Sequence, residues 1–117
     1  MSSTQIDADA PCLLTTALGT EDEAEALAGA LVESRLAACV QVTQVRSFYR
    51  WDGELRREPE WVLMVKTRAA CAAQAQALIR ERHSYQTPEI LQLPLGGGLP
   101  EYLRWLVEAT TPGPASP

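Results

Sequence analysis

Two long β-prone runs, AACVQVTQVRSFYRW (37–51) and ELRREPEWVLMVKT (54–67), are parted only by Asp52-Gly53. An Asp-Gly pair between alternating residues is among the strongest short-range hairpin signals, because both turn positions need a positive φ. Each arm holds about fourteen residues, so at ~3.3 Å per residue it reaches roughly 45 Å. A domain of this length has a radius of gyration of only ~13 Å. The far half of the hairpin must therefore project beyond its own body or bend back over it. It carries Phe48, Tyr49, Trp51 and Trp61, an aromatic load that a lone two-stranded ribbon cannot hide. A second subunit is the simplest cover, so the residues themselves point to an oligomer.

The alternation along the first arm changes phase. Val40 and Val42 share one side, whereas Val45, Tyr49 and Trp51 share the other. A bend or bulge near Thr43 and Gln44 accounts for this, since bulges re-aim a strand. With a two-residue turn, unbroken pairing sets Tyr49 opposite Arg56 and Cys39 opposite Lys66; a bulge shifts the second pair by one.

The rest of the chain supplies a body for this hairpin. CLLTTALG (12–19) reads as a buried strand ended by Gly19. Thr20 with Glu23 three residues later forms a capping box, and three acids fill the first turn of a helix over 21–35. Ala24, Leu27, Leu31 and the Ala28/Val32 pair give that helix its apolar face. RAACAAQAQALIRER (68–82) is a second helix with Cys71, Ala75, Leu78 and Ile79 on one stripe. EILQLPL is a strand that Pro94 places at a sheet edge or at its own end. After GGG, Pro100 opens a last short helix, PEYLRWLVEA. Strand, helix, strand, strand, helix, strand, helix predicts an α+β fold, a ferredoxin-like βαββαβ sandwich with a long β-hairpin and an extra C-terminal helix. Residues 11–110 form the single domain, with a flexible N-terminal segment over 1–10 and a flexible tail over 111–117.

Bulk properties narrow the function. A formal charge of −5 argues against nucleic acid, whose phosphates demand clustered Lys and Arg. No apolar run is long enough to span a bilayer. The opening MSSTQIDADA lacks the basic and apolar regions of a secretory signal. Three widely spaced cysteines, Cys12, Cys39 and Cys71, then read as reduced thiols in a cytoplasm.

ESRLAACVQ, SFYRWDGEL, EWVLMVKT, HSYQTPEILQLPL and YLRWL follow one another in register. In this respect the chain, over roughly residues 12 to 110, resembles the CutA family of divalent-cation tolerance proteins. The resemblance implies a tight homotrimer whose long strands meet across subunit boundaries; the residues alone would have favoured a two-fold dimer. It also implies a cleft between subunits. Cys39 matches the cysteine of the family's ACVN segment, Tyr49 and Trp51 its Tyr-x-Trp, and Lys66 and Thr67 its Lys-Thr. His83, Tyr85 and Gln86 fall on its His-Pro-Tyr-Glu, and Tyr102 and Trp105 on the aromatic pair of its last helix. The family is linked to copper and other divalent ions, so Cu(II) or a similar cation is the implied ligand, not one required for folding. Departures from the pattern are Gln41 for Asn, Ser84 for Pro and Gln86 for Glu. The stretch from Cys39 to Ser47 is also one residue shorter and lacks the usual proline.

His83 is the only histidine. As a metal ligand it could be joined by Cys39 and, with its strand turned inward, by Glu89; imidazole with thiolate suits copper or zinc. The competing reading is a hydrogen-bonded ring at a packed turn. A Cys39–His83 nucleophile pair lacks an orienting acid and an oxyanion hole, so no enzyme activity is expected. Lys66 and Thr67 could hold an anion at the start of the second helix, or Thr67 could simply cap that helix while Lys66 snorkels. GELRREPE reads as a solvated tip. The expectation is a homotrimer in divalent metal tolerance and response to metal ion. Its alternative is a trimeric small-ligand sensor of the PII type, which needs no metal.

Overall fold

The computed structural model describes residues 7–113. Along them run β1 (Pro11–Leu18), α1 (Glu21–Glu33), β2 (Cys39–Trp51), β3 (Glu54–Arg68), α2 (Ala69–Arg82), β4 (Leu91–Pro94) and α3 (Pro100–Ala109). The four strands form one antiparallel sheet in the order β2-β3-β1-β4. The fold is thus α+β, with every expected element present in the expected order. Residues 1–6 and 114–117, part of the expected flexible ends, lie outside the described residues.

The hairpin turns as its two residues require: Asp52 and Gly53 have φ of 51° and 75°. From Trp51–Glu54 at the tip to Cys39–Lys66 at the base the register never slips. Of the bend or bulge expected near Thr43 and Gln44, the bulge is therefore absent. The change of phase has another cause, visible in β3 as well. Nearer the base, Leu63, Val65 and Thr67 are buried, all on one side of the ribbon. Beyond them the shielded positions are Arg56, Glu58 and Glu60, on the opposite side. The ribbon stays regular and its cover changes sides.

One face of the sheet is closed by α1 and α2. Leu14 and Leu18 of β1 and Leu63 and Val65 of β3 pack against Ala24, Leu27 and Leu31 of α1 and Ala75 and Ile79 of α2. Each such buried Leu, Ile or Val contributes about 1.5–3 kcal/mol. Trp61, counted with the projecting aromatics from sequence, instead leans on this core, whereas Val32 of α1 is exposed. The register places Leu13, Cys39, Gln41, Met64, Leu91 and Leu93 on the other face, which no helix of the sheet-covering pair occupies.

The helix ends fix the frame. Thr20 accepts from the Glu23 amide at 3.1 Å, but the Glu23 carboxylate accepts from Ser84 instead of closing the capping box. At the other end of α1, Arg35 adopts φ 62°, and the Arg35 and Leu36 amides return to the Val32 and Leu31 carbonyls. Helix α2 has no side-chain cap; its Ala69 and Ala70 amides donate to the carbonyls of Ala10 and Ala8. Residues 8–10 are thereby bound to the body. Helix α3 starts at Pro100 as expected, and its far end is held by Arg35 on the Ala109 carbonyl and Arg68 on the Thr110 carbonyl.

The hairpin makes the chain extended. Its radius of gyration is 15.9 Å and its principal extents are 49 × 46 × 25 Å, against the ~13 Å radius of a compact domain of this size.

Candidate functional site

The strap from Ser84 to Ile90 joins α2 to β4 and crosses the end of the sheet. His83 anchors it as the C-cap residue of α2. The imidazole Nε2 lies 2.9 Å from the carbonyl oxygen of Ala17 in β1, and Nδ1 accepts from the Tyr85 amide at 3.2 Å. A carbonyl only accepts and an amide only donates, so both ring nitrogens are engaged and the ring is the neutral Nε2–H form. The two rings of His83 and Tyr85 also sit 4.9 Å apart. His83 is thus a hydrogen-bonded ring at a packed turn within one chain.

Tyr85 reaches from the strap onto the open sheet face. Its hydroxyl donates to Glu60 Oε2 at 3.0 Å, and its ring lies so close to Gly19 that a Cβ there would stand 3.0 Å from the phenol oxygen. Glu60 is only 9% exposed. Two residues along the same face, Glu58 accepts from the Tyr49 hydroxyl at 2.8 Å. Both phenols are pushed above the usual range: Tyr85 first by burial and then by its bond to Glu60, Tyr49 first by its bond to Glu58. A hydroxyl that donates to a carboxylate gives up its proton reluctantly. Glu58 and Glu60, which sequence reasoning left in a solvated tip, are therefore built into the face. The signal was available in the register, which puts Ser47 opposite Glu58 and Val45 opposite Glu60, on the side of Tyr49.

The other candidate residues are dispersed. Glu89 accepts from Thr15 Oγ1 at 3.2 Å, which brings its carboxylate to the open face. Cys39 is half-buried at the opposite end of that face, paired with Lys66 and through it with Leu13. Leu13 and Ala17 are four residues apart along β1, roughly 13 Å, with two strand spacings to add. Cys39 and His83 are not neighbours in one chain. Lys66 and Thr67 point to opposite faces. Thr67 is fully buried and donates to the Leu36 carbonyl at 2.7 Å, so it does not cap α2, whose N-cap is Arg68. Trp51 and Gln86 are exposed. Tyr102 and Trp105 stack on α3 with centroids 5.4 Å apart. Among the described residues no group of three or more His, Cys, Asp or Glu stands close enough to hold a metal ion. Cys12 and Cys71 are buried, as expected of core thiols, and burial pushes the Cys12 thiol up.

Comparison with known proteins converges on one family. The model of the CutA1 divalent ion tolerance protein family matches residues 12–109. The divalent-cation tolerance protein CutA of Thermus thermophilus is 42% identical over 92 residues, 78% of this chain and 89% of that protein. That of Archaeoglobus fulgidus is 39% identical over 87 residues, 74% of this chain and 85% of that protein. The solved structure of CutA from Synechococcus elongatus superposes with a TM-score of 0.85 at 37% identity, covering 94% of this chain and 97% of the other.

Proposed function

This chain belongs to the CutA1 divalent ion tolerance family, and from that premise we propose that it works as a homotrimeric, ferredoxin-like binding protein. In this reading it takes copper or another divalent cation where its copies meet. The observation that carries the proposal is the uncovered sheet face together with the projecting ribbon tip. Phe48, Trp51 and Leu55 are 62%, 57% and 73% exposed, and Met64, Leu91 and Leu93 add bare apolar surface on the open face. The sheet order supports a head-to-tail ring, because β2 and β4 are free edges on opposite sides of it.

A cation site in such a ring draws donors from more than one chain. The donor set fits that arrangement: Cys39 and Glu89 both address the open face but lie apart within one chain, while His83 holds the strap. Thiolate and carboxylate together suit a borderline cation such as zinc or copper. The separation of Cys39 from His83 favours binding over covalent catalysis. Three free thiols, two of them buried, suit a reducing cytoplasm.

Anaerobic calorimetric titration of the metal-free assembly with Zn(II) and Cu(II), beside Cys39→Ser and Glu89→Gln, tests this. Uptake that both substitutions weaken at unchanged assembly size supports the cation reading. An intact assembly that binds neither ion leaves the small-ligand sensor, for which a small anionic metabolite raises Tm without metal.

A further inference from the structure

We propose that His83 is a pH-sensitive catch: a second proton on its ring releases the Tyr85 end of the strap and, with it, the hold on Glu60 at the open sheet face. The inference concerns regulation of the face read above as the assembly surface, and it rests on that reading only for what would be regulated.

The geometry dictates the direction. The bond to the Ala17 carbonyl at 2.9 Å needs a hydrogen on Nε2, and the bond from the Tyr85 amide at 3.2 Å needs a lone pair on Nδ1. A second proton on this ring can only land on Nδ1, because Nε2 already carries the hydrogen of the Ala17 bond. That sets one N–H against another across the Tyr85 contact. The Ala17 bond survives and gains from the charge, so the ring stays and the Tyr85 backbone lets go. Tyr85 is the link that matters downstream, because its hydroxyl is the hydrogen-bond donor on the nearly buried Glu60 and its ring packs on Gly19.

Charged and titratable groups around the catch come from each neighbouring element. Helix α1 presents Glu23, which Ser84 bonds at 2.8 Å. Strand β3 presents Glu58 and Glu60, with Tyr49 of β2 on Glu58. Glu81 and Arg82 precede the ring on α2, and β1 contributes the Ala17 carbonyl alone.

The experiment is nuclear magnetic resonance on the 15N-labelled full chain between pH 8 and pH 5, where the single histidine gives one set of ring signals. The Nε2–H tautomer is expected at pH 8. As the ring charges, the Tyr85 amide should shift with the same midpoint and lose about ten-fold of its protection relative to the intrinsic exchange rate, the loss of one hydrogen bond. His83→Asn keeps an acceptor near the Nδ1 position without titrating, so its Tyr85 amide should be indifferent to pH. An Nδ1–H tautomer at pH 8, a Tyr85 amide that ignores the ring, or an Asn variant that titrates like the parent each overturns the proposal. Sedimentation of the same samples reads the assembly separately, so failure of one idea is not mistaken for failure of the other.

Discussion

The base and the tip of the β2–β3 ribbon share one unbroken register and differ in what covers them. At the base, Leu63 and Val65 are completely buried beneath α1 and α2. Toward the tip, the Arg57 guanidinium lies 5.7 Å from the ring centroid of Phe48, which is still mostly exposed, as is Leu55. Between them lies Glu60, where the cover passes from the helices to the Tyr85 strap on the opposite side. Backbone pairing extends a ribbon indefinitely, but only side-chain burial makes its ordering worthwhile. The base is stabilised by its own chain, which leaves the tip exposed.

The largest expected effect breaks the base. Leu63→Ala should lower the free energy of unfolding by about 2–5 kcal/mol, read from urea denaturation. At the tip, Phe48→Ser with Trp51→Ser should leave the far-ultraviolet spectrum unchanged. Association should weaken instead, by about 2 kcal/mol or roughly thirty-fold for each aromatic anchor, seen as a falling sedimentation mass on dilution. At the crossover, Tyr85→Phe strips a nearly buried carboxylate of its donor and should cost about 1–3 kcal/mol in thermal unfolding. Gly53→Ala, at a φ of 75°, should cost about 1 kcal/mol without moving the register.

The smallest effect is the response to alkali. Tyr49 and Tyr85 have raised folded values, so the stability they lend is complete below the free phenol's value of about 10 and is lost only as pH climbs through the folded ones. The 295 nm absorbance of the folded protein should accordingly rise later than that of its urea-unfolded form.

Much of this contrast was legible in the sequence. Asp52-Gly53 sets the turn, and counting outward from it pairs Tyr49 with Arg56, as found; Cys39 opposite Lys66 followed only for unbroken pairing, which the structure has. The phase change reads from sequence as a bend or bulge because alternation reports which side is covered, and a change of cover on a regular strand leaves the same pattern. Glu58 and Glu60 looked solvated because their phenol partners come from β2 and from the strap. Likewise, neither Ala17, 66 residues from His83, nor the Leu36 carbonyl that takes the Thr67 hydroxyl leaves a local pattern. Long-range hydrogen bonds to backbone carbonyls carry no side-chain signature at the accepting end.

Sedimentation equilibrium at micromolar concentration bears most directly on the proposal that further copies cover the ribbon tip. A single species near three times the chain mass of 12.8 kDa is expected, resisting dilution until Phe48 and Trp51 are replaced. A folded, stable species at 12.8 kDa would contradict the account.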